Sequence, residues 1–166
     1  MIILKELFES YKEKIIGAIP YSEVEHVGAS SYPGVETKGD LDIQIRVEKE
    51  DFQNTVSILS EIFTSRYHDL WTDEFALFGD PVQEIKIDIM LTAKESAYDS
   101  FYKFRDAMID NPPLRKRYID LKKKYPDFLS DEYRIAKDIF FREAEKELGL
   151  KPRPLSLGVF TKKKDN

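Results

Sequence analysis

No cysteine occurs in the 166 residues. Disulfides, thiolate metal sites, iron–sulfur clusters and cysteine nucleophiles are excluded together. Two histidines are too few for a His-rich zinc centre. No apolar run approaches the roughly 18 residues of a membrane span, so no membrane partner is expected. The opening residues, MIILKELFESYKEK, mix apolar and charged side chains from the start. They lack the basic segment and plain hydrophobic stretch of a secretory signal, and a cytoplasmic location is the expectation. The phosphate-loop pattern G-x-x-x-x-G-K-[ST] is absent, which disfavours a P-loop kinase. So is G-x-S-x-G, which disfavours a serine hydrolase.

What is present reads as one ordinary globular domain with enough chain to bury a core. Net charge is −5, so duplex nucleic acid is not an expected partner. The charge is unevenly placed. Residues 1–113 carry a net −11 and residues 114–166 a net +6. An acidic body with a basic C-terminal part suits a phosphate-bearing ligand held near a metal, or an acidic face that docks a basic partner.

Leu4, Leu7, Phe8, Tyr11, Ile15 and Ile19 recur at helical steps, and Pro20 closes that helix. Val24 to Val27 is a short strand leading into Gly28. Leu41, Ile43, Ile45 and Val47 alternate with polar residues, as do Ile85, Ile87, Ile89 and Leu91, giving two strands. Between them, Phe52, Val56, Leu59 and Phe63 predict a helix. Tyr67–Trp71 and Phe75–Phe78 read as two further short strands joined at Thr72–Glu74, which favours partly antiparallel pairing. Thr92 and Glu95 have capping-box spacing and predict a helix from there to about Asp110. Asn111 before Pro112 caps the next helix, Ser130 caps a last one, and Gly149 stops it. The expectation is a mixed α/β (α+β) domain over 1–148, a sheet flanked by helices with C-terminal helices, followed by an irregular tail over 149–166.

Asp40 and Asp42 are two apart and leave the same sheet face, opposite an aliphatic one. Asp88 stands mid-strand in the second alternating run. Asp is a poor strand former, and three carboxylates on one face repel each other and resist desolvation. A divalent cation, Mg²⁺ or Mn²⁺, held by Asp40, Asp42 and Asp88 relieves both problems. A solvated polar face is the plainer alternative. Gly28 followed by Ser30 and Ser31 offers a turn where a phosphate can approach backbone N–H groups.

Gly28-Ala29-Ser30, Asp40-Leu41-Asp42 and Asp88 together resemble the signature of the nucleotidyltransferase (polymerase-beta-like) superfamily. Glu25-His26-Val27-Gly28-Ala29-Ser30-Ser31-Tyr32-Pro33-Gly34 is similar to the EHxGSTSVPG stretch of the GrpB family. Thr37-Lys38-Gly39-Asp40-Leu41-Asp42 resembles that family's lysine-then-Asp strand. Phe104-Arg105-Asp106 with Asn111-Pro112, Tyr118 to Lys122, and Tyr133 with Ala136-Lys137 resemble its later segments. The likeness runs from about residue 22 to 148. Ala29 departs from the superfamily, which prefers Gly or Ser there, so a hydroxyl grip on phosphate falls to Ser30 or Ser31.

The resemblance implies a nucleotidyltransferase fold and transfer of a nucleotidyl group from an NTP to an unidentified small-molecule acceptor. Asp40, Asp42 and Asp88 would be the catalytic and metal-holding residues. Gly28, Ser30, Ser31, Lys38, Arg105, Lys122 and Lys137 would meet the phosphates. His26, two residues before Gly28, is expected on the same face, either reaching the site or packed as a satisfied histidine. An inactive nucleotide- and metal-binding module of the same fold is the alternative.

Overall fold

A computed structural model describes residues 2–37, 39–81 and 84–154. Helix α1 (Ile2–Ala18) leads into strand β1 (Glu23–Val27) and a 3-10 turn over Ala29–Ser31. Strand β2 (Leu41–Val47), helix α2 (Phe52–Ile62) and strands β3 (Thr64–Arg66), β4 (Phe75–Gly79) and β5 (Ile87–Ala93) follow. Helices α3 (Phe101–Asp110), α4 (Pro112–Lys124) and α5 (Asp131–Leu148) come last. The strands form one mixed sheet in the order β1-β2-β5-β4-β3. Only the central pair, β2 and β5, is parallel; the other neighbours are antiparallel.

The period of two decides what each sheet face does. Leu41, Ile43, Ile45 and Val47 of β2 and Ile87, Ile89 and Leu91 of β5 share the larger apolar cluster with Phe8 and Ile15 of α1, Ile19 just after it, and Phe52 and Leu59 of α2. Met90 and Leu77 face the other way and cluster with Val27, Phe75, Tyr98 and Phe101. A third cluster, built on Phe104, Met108, Leu114, Tyr118 and Phe141, holds the C-terminal helices together. The sheet is thus covered by helices on both faces, an arrangement that fits a nucleotidyltransferase-like fold. Among the described residues, no helix is long and apolar enough to cross a membrane.

The C-terminal caps follow the sequence. The Asn111 side chain accepts from the Leu114 N–H, Ser130 accepts from the Tyr133 N–H, and Gly149 ends α5 at φ 67. Two segments differ. The strand expected at 67–71 is a 3-10 turn over His68–Leu70, entered through Tyr67 at φ 49, and the strand lies earlier, at Thr64–Arg66. Its TSR sequence carries no apolar residue to mark it.

The helix expected from Thr92 starts only at Phe101. Thr92 and Ala93 stay in the ladder opposite Arg46 and Val47. The buried Thr92 hydroxyl accepts from Gln44 Nε2 at 2.9 Å and caps nothing. Glu95 has φ 66, so the chain turns there. Its N–H donates to Asp99, whose carboxylate takes both Nε and Nη2 of Arg46 at 2.6 and 2.8 Å. That buried pair fixes the 94–100 turns in place of a helical start. Strand β5 likewise begins at Ile87 and not at Ile85.

Candidate functional site

Asp42 and Asp88 are direct partners in the parallel β2–β5 register, on the face turned toward α3–α5. Asp40 lies just before β2. All three line one cavity between the sheet and the C-terminal helices. Gly28, Ala29, Ser30 and Tyr32 close one side; Tyr118, Lys122, Tyr133, Lys137 and Arg153 come from the C-terminal part. At this point aspartates on the sheet face Lys122, Lys137 and Arg153 from the C-terminal part.

Gly28 is required by the site. Its φ is 74, and a Cβ there would fall 2.8 Å from Asp42 Cγ. The missing side chain lets the Asp42 carboxylate lie against the backbone of the turn. Burial raises the Asp42 carboxyl to about 7, with Asp88 and Asp40 adding repulsion and Lys137 and Lys86 opposing it. Burial also raises Asp88, while Lys86 and Arg66 pull it down.

Asp88 is engaged by two cations. Arg66 Nη1 donates to Oδ1 at 2.9 Å, and Lys86 Nζ lies 3.4 Å from Oδ2. Arg66 reaches Asp88 from β3 across β4, because Gly79 stands between them: a Cβ there would fall 2.6 Å from Arg66 Cδ. Burial lowers Lys86, but Asp88 and Asp40 outweigh it and hold the ammonium above its usual range.

Among the described residues, no group of three or more Asp, Glu, His or Cys side chains is arranged to hold a metal ion. Asp88 is drawn toward Arg66 and Lys86. The smaller donor set of Asp40 and Asp42 still suits Mg²⁺, which commonly takes one or two carboxylates and completes its shell with phosphate oxygens and water. The raised Asp42 carboxyl fits this chemistry, since a cation beside it favours the ionised form.

The other expected residues divide. Lys122 is buried, with Nζ 4.1 Å from the Phe128 ring centroid and 5.5 and 5.7 Å from those of Tyr118 and Tyr133. Lys137 lines the cavity beside Tyr133. Ser30 lines it too, with its hydroxyl 3.0 Å from His26 Nε2.

Ser31 is not among the cavity-lining residues, and its hydroxyl donates back to the Gly28 carbonyl at 2.6 Å. Arg105 ties α3 to β1 through Glu25 and the His26 carbonyl and does not line the cavity. His26 pairs with Ile43 in register, so it faces α1 and stacks on Phe8. The strand parity shared with Gly28 ends where the strand ends, at Val27. Lys38 lies outside the described residues.

Sequence reasoning missed Lys86, Arg66, Tyr32 and Arg153. Lys86 was within reach, because the period that turns Asp88 to this face turns Lys86 there as well. Arg66 was hidden by the misplaced strand. Arg153 lay in the segment read as tail. Residues 149–153 turn back onto α5, with the Leu150 N–H on the Glu145 carbonyl and Arg153 Nε on the Glu145 carboxylate. The rest of the expected tail, 155–166, lies outside the described residues.

The sequence model of a family described as GrpB protein matches residues 4–147. A UPF0157 protein of Vibrio cholerae serotype O1 is 32% identical over 137 residues, which span 82% of this chain and 72% of that protein. The crystal structure of a conserved protein GrpB from Enterococcus faecalis has the same fold, with a TM-score of 0.67 at 22% identity, covering 87% of this chain and 92% of that one.

Proposed function

The chain belongs to the GrpB family, and from that membership and the cavity together we propose that the protein binds a nucleoside triphosphate with a divalent cation and passes its nucleotidyl group to a small acceptor. The observation that carries this reading is the facing of Asp40, Asp42 and Asp88 by Lys122 and Lys137 across an aromatic-lined space. Carboxylates alone would repel a triphosphate, and lysines alone would need no carboxylates. The two together suit a phosphate chain that shares a cation with the protein.

In this reading Asp40 and Asp42 would hold Mg²⁺, which would supply charge compensation for the phosphates and for both carboxylates. Lys122 and Lys137 lie along the phosphate chain. Gly28 and Ser30 bring backbone and hydroxyl to its far end. Tyr118 and Phe141 give a ring or other flat group an aromatic wall.

The acceptor oxygen forms a bond to the α-phosphorus as the bond from that phosphorus to the bridging oxygen breaks. Pyrophosphate leaves with the electron pair. The acceptor proton goes to Asp88, whose carboxylate Arg66 and Lys86 fix in place. Nucleotide binding without transfer is the second reading, favoured by the same double engagement of Asp88 and by Ala29 in the turn.

Incubation with α-labelled NTPs, Mg²⁺ and a panel of hydroxyl and phosphate acceptors tests the proposal. Label is expected on an acceptor with release of pyrophosphate, and Asp42→Asn should reduce the rate at least a hundredfold, roughly the loss of one strong electrostatic contact. Equal turnover in Asp42→Asn overturns the site assignment, and binding of NTP with no turnover on any acceptor favours the second reading.

A further inference from the structure

Arg153 is the one charged side chain among the described residues with a buried, unpartnered donor. It is 4% exposed, and its Nη1 has no hydrogen-bond partner. It also lines the cavity.

The local sequence explains how it gets there. Gly149 takes the left-handed conformation at the end of α5, and the Leu150 N–H closes onto the Glu145 carbonyl, a Schellman-type reversal. Lys151 Nζ then donates to the Glu95 carbonyl at 2.8 Å. The Arg153 carbonyl accepts from Arg142 Nη1 at 2.6 Å. Pro152 and Pro154 restrict the backbone on either side. The guanidinium enters between α3 and α5, 4.9 and 5.2 Å from the ring centroids of Phe104 and Phe101, with Nε on Glu145 at 3.2 Å.

An ion pair with Glu145 uses one edge of the guanidinium and leaves Nη1 unused. Burying such a donor without a partner is costly. The planar fork matches the oxygens of a carboxylate or phosphate.

We propose that Arg153 is an oxyanion anchor: its guanidinium, which lines the cavity and keeps an unused donor, binds a carboxylate or phosphate on the small molecule that occupies the cavity. This rests on the cavity being a ligand site and adds a constraint on the acceptor, which carries an anionic group as well as the oxygen that is nucleotidylated. The docked 149–153 segment is therefore part of the site.

The test is thermal unfolding of the full chain in EDTA at constant ionic strength, titrating sodium phosphate or sodium acetate against sodium chloride. A saturable stabilisation beyond chloride is expected with at least one oxyanion. Phosphate giving the larger response points to a phosphorylated acceptor, acetate to a carboxylic acid. The response should survive in Asp42→Asn and weaken about tenfold or more in Arg153→Gln.

Arg153→Gln leaves Glu145 buried without its cation, so the double variant Glu145→Gln/Arg153→Gln, which removes both charges, is measured beside it. No response beyond chloride in the wild type, or an equal response in the folded Arg153 variants, overturns the proposal. Mg·ATP is titrated in parallel. If Mg·ATP gives no shift while the Arg153-dependent oxyanion response persists, the nucleotide reading falls and the anchor stands. If Mg·ATP binds and no oxyanion response depends on Arg153, the anchor falls alone.

Discussion

Asp42 carries the largest chemical load of any single residue here. It touches the backbone of Gly28, stands beside Asp88 in register, and is raised to about 7 by burial first and by its carboxylate neighbours second. Its folded-state value lies above its ordinary one of 3.8. Between those two values the folded protein binds the Asp42 proton more readily than the unfolded chain does. Stability from this group is therefore complete at low pH and is lost as pH rises toward 7. In EDTA, thermal unfolding from pH 4.5 to 8 should show the wild type losing stability relative to Asp42→Asn through that window. Parallel curves for the two proteins would mean that Asp42 is not desolvated as described.

At the scale of elements, β2 and β5 were legible because an aliphatic residue at every second position leaves only one consistent face. The same alternation delivered Asp42 and Asp88 to the site. The caps at Asn111 and Ser130 were legible from side chains that satisfy helix N-termini locally. The misreadings arose where long-range contacts decide. Thr92 and Glu95 have capping spacing, but Arg46 lies far away in sequence and its pairing with Asp99 holds 94–100 in turns. Strand β3 exists because β4 pairs with it, and nothing in TSR announces that. Arg153 reaches the cavity through a reversal at Gly149 whose stop signal was visible but whose direction was not. Asp99→Asn tests the Arg46 anchor: it leaves a buried guanidinium partly unpaired and should cost about 3–5 kcal/mol. Urea unfolding measures this, and a loss below about 1 kcal/mol would show that the turns are held by something else.

For the whole molecule, the point of the fold is where it places opposite charges. Helices α1 and α2 cover an aliphatic sheet face that carries no site residue. The other face presents Asp40, Asp42 and Asp88 to Lys122 and Lys137 of the C-terminal helices, with the cavity between them. The central claim is that this cavity takes a nucleoside triphosphate together with a divalent cation. The most direct measurement is thermal unfolding of the wild type and Asp42→Asn with each of the four ribonucleoside triphosphates, in Mg²⁺ and in EDTA. A ligand at about 100 times its Kd stabilises by roughly 2.7 kcal/mol, a readable shift. The account predicts such a shift with at least one triphosphate in the wild type, dependent on Mg²⁺ and absent in Asp42→Asn. No shift with any triphosphate, or the same shift in EDTA and in Asp42→Asn, would contradict it.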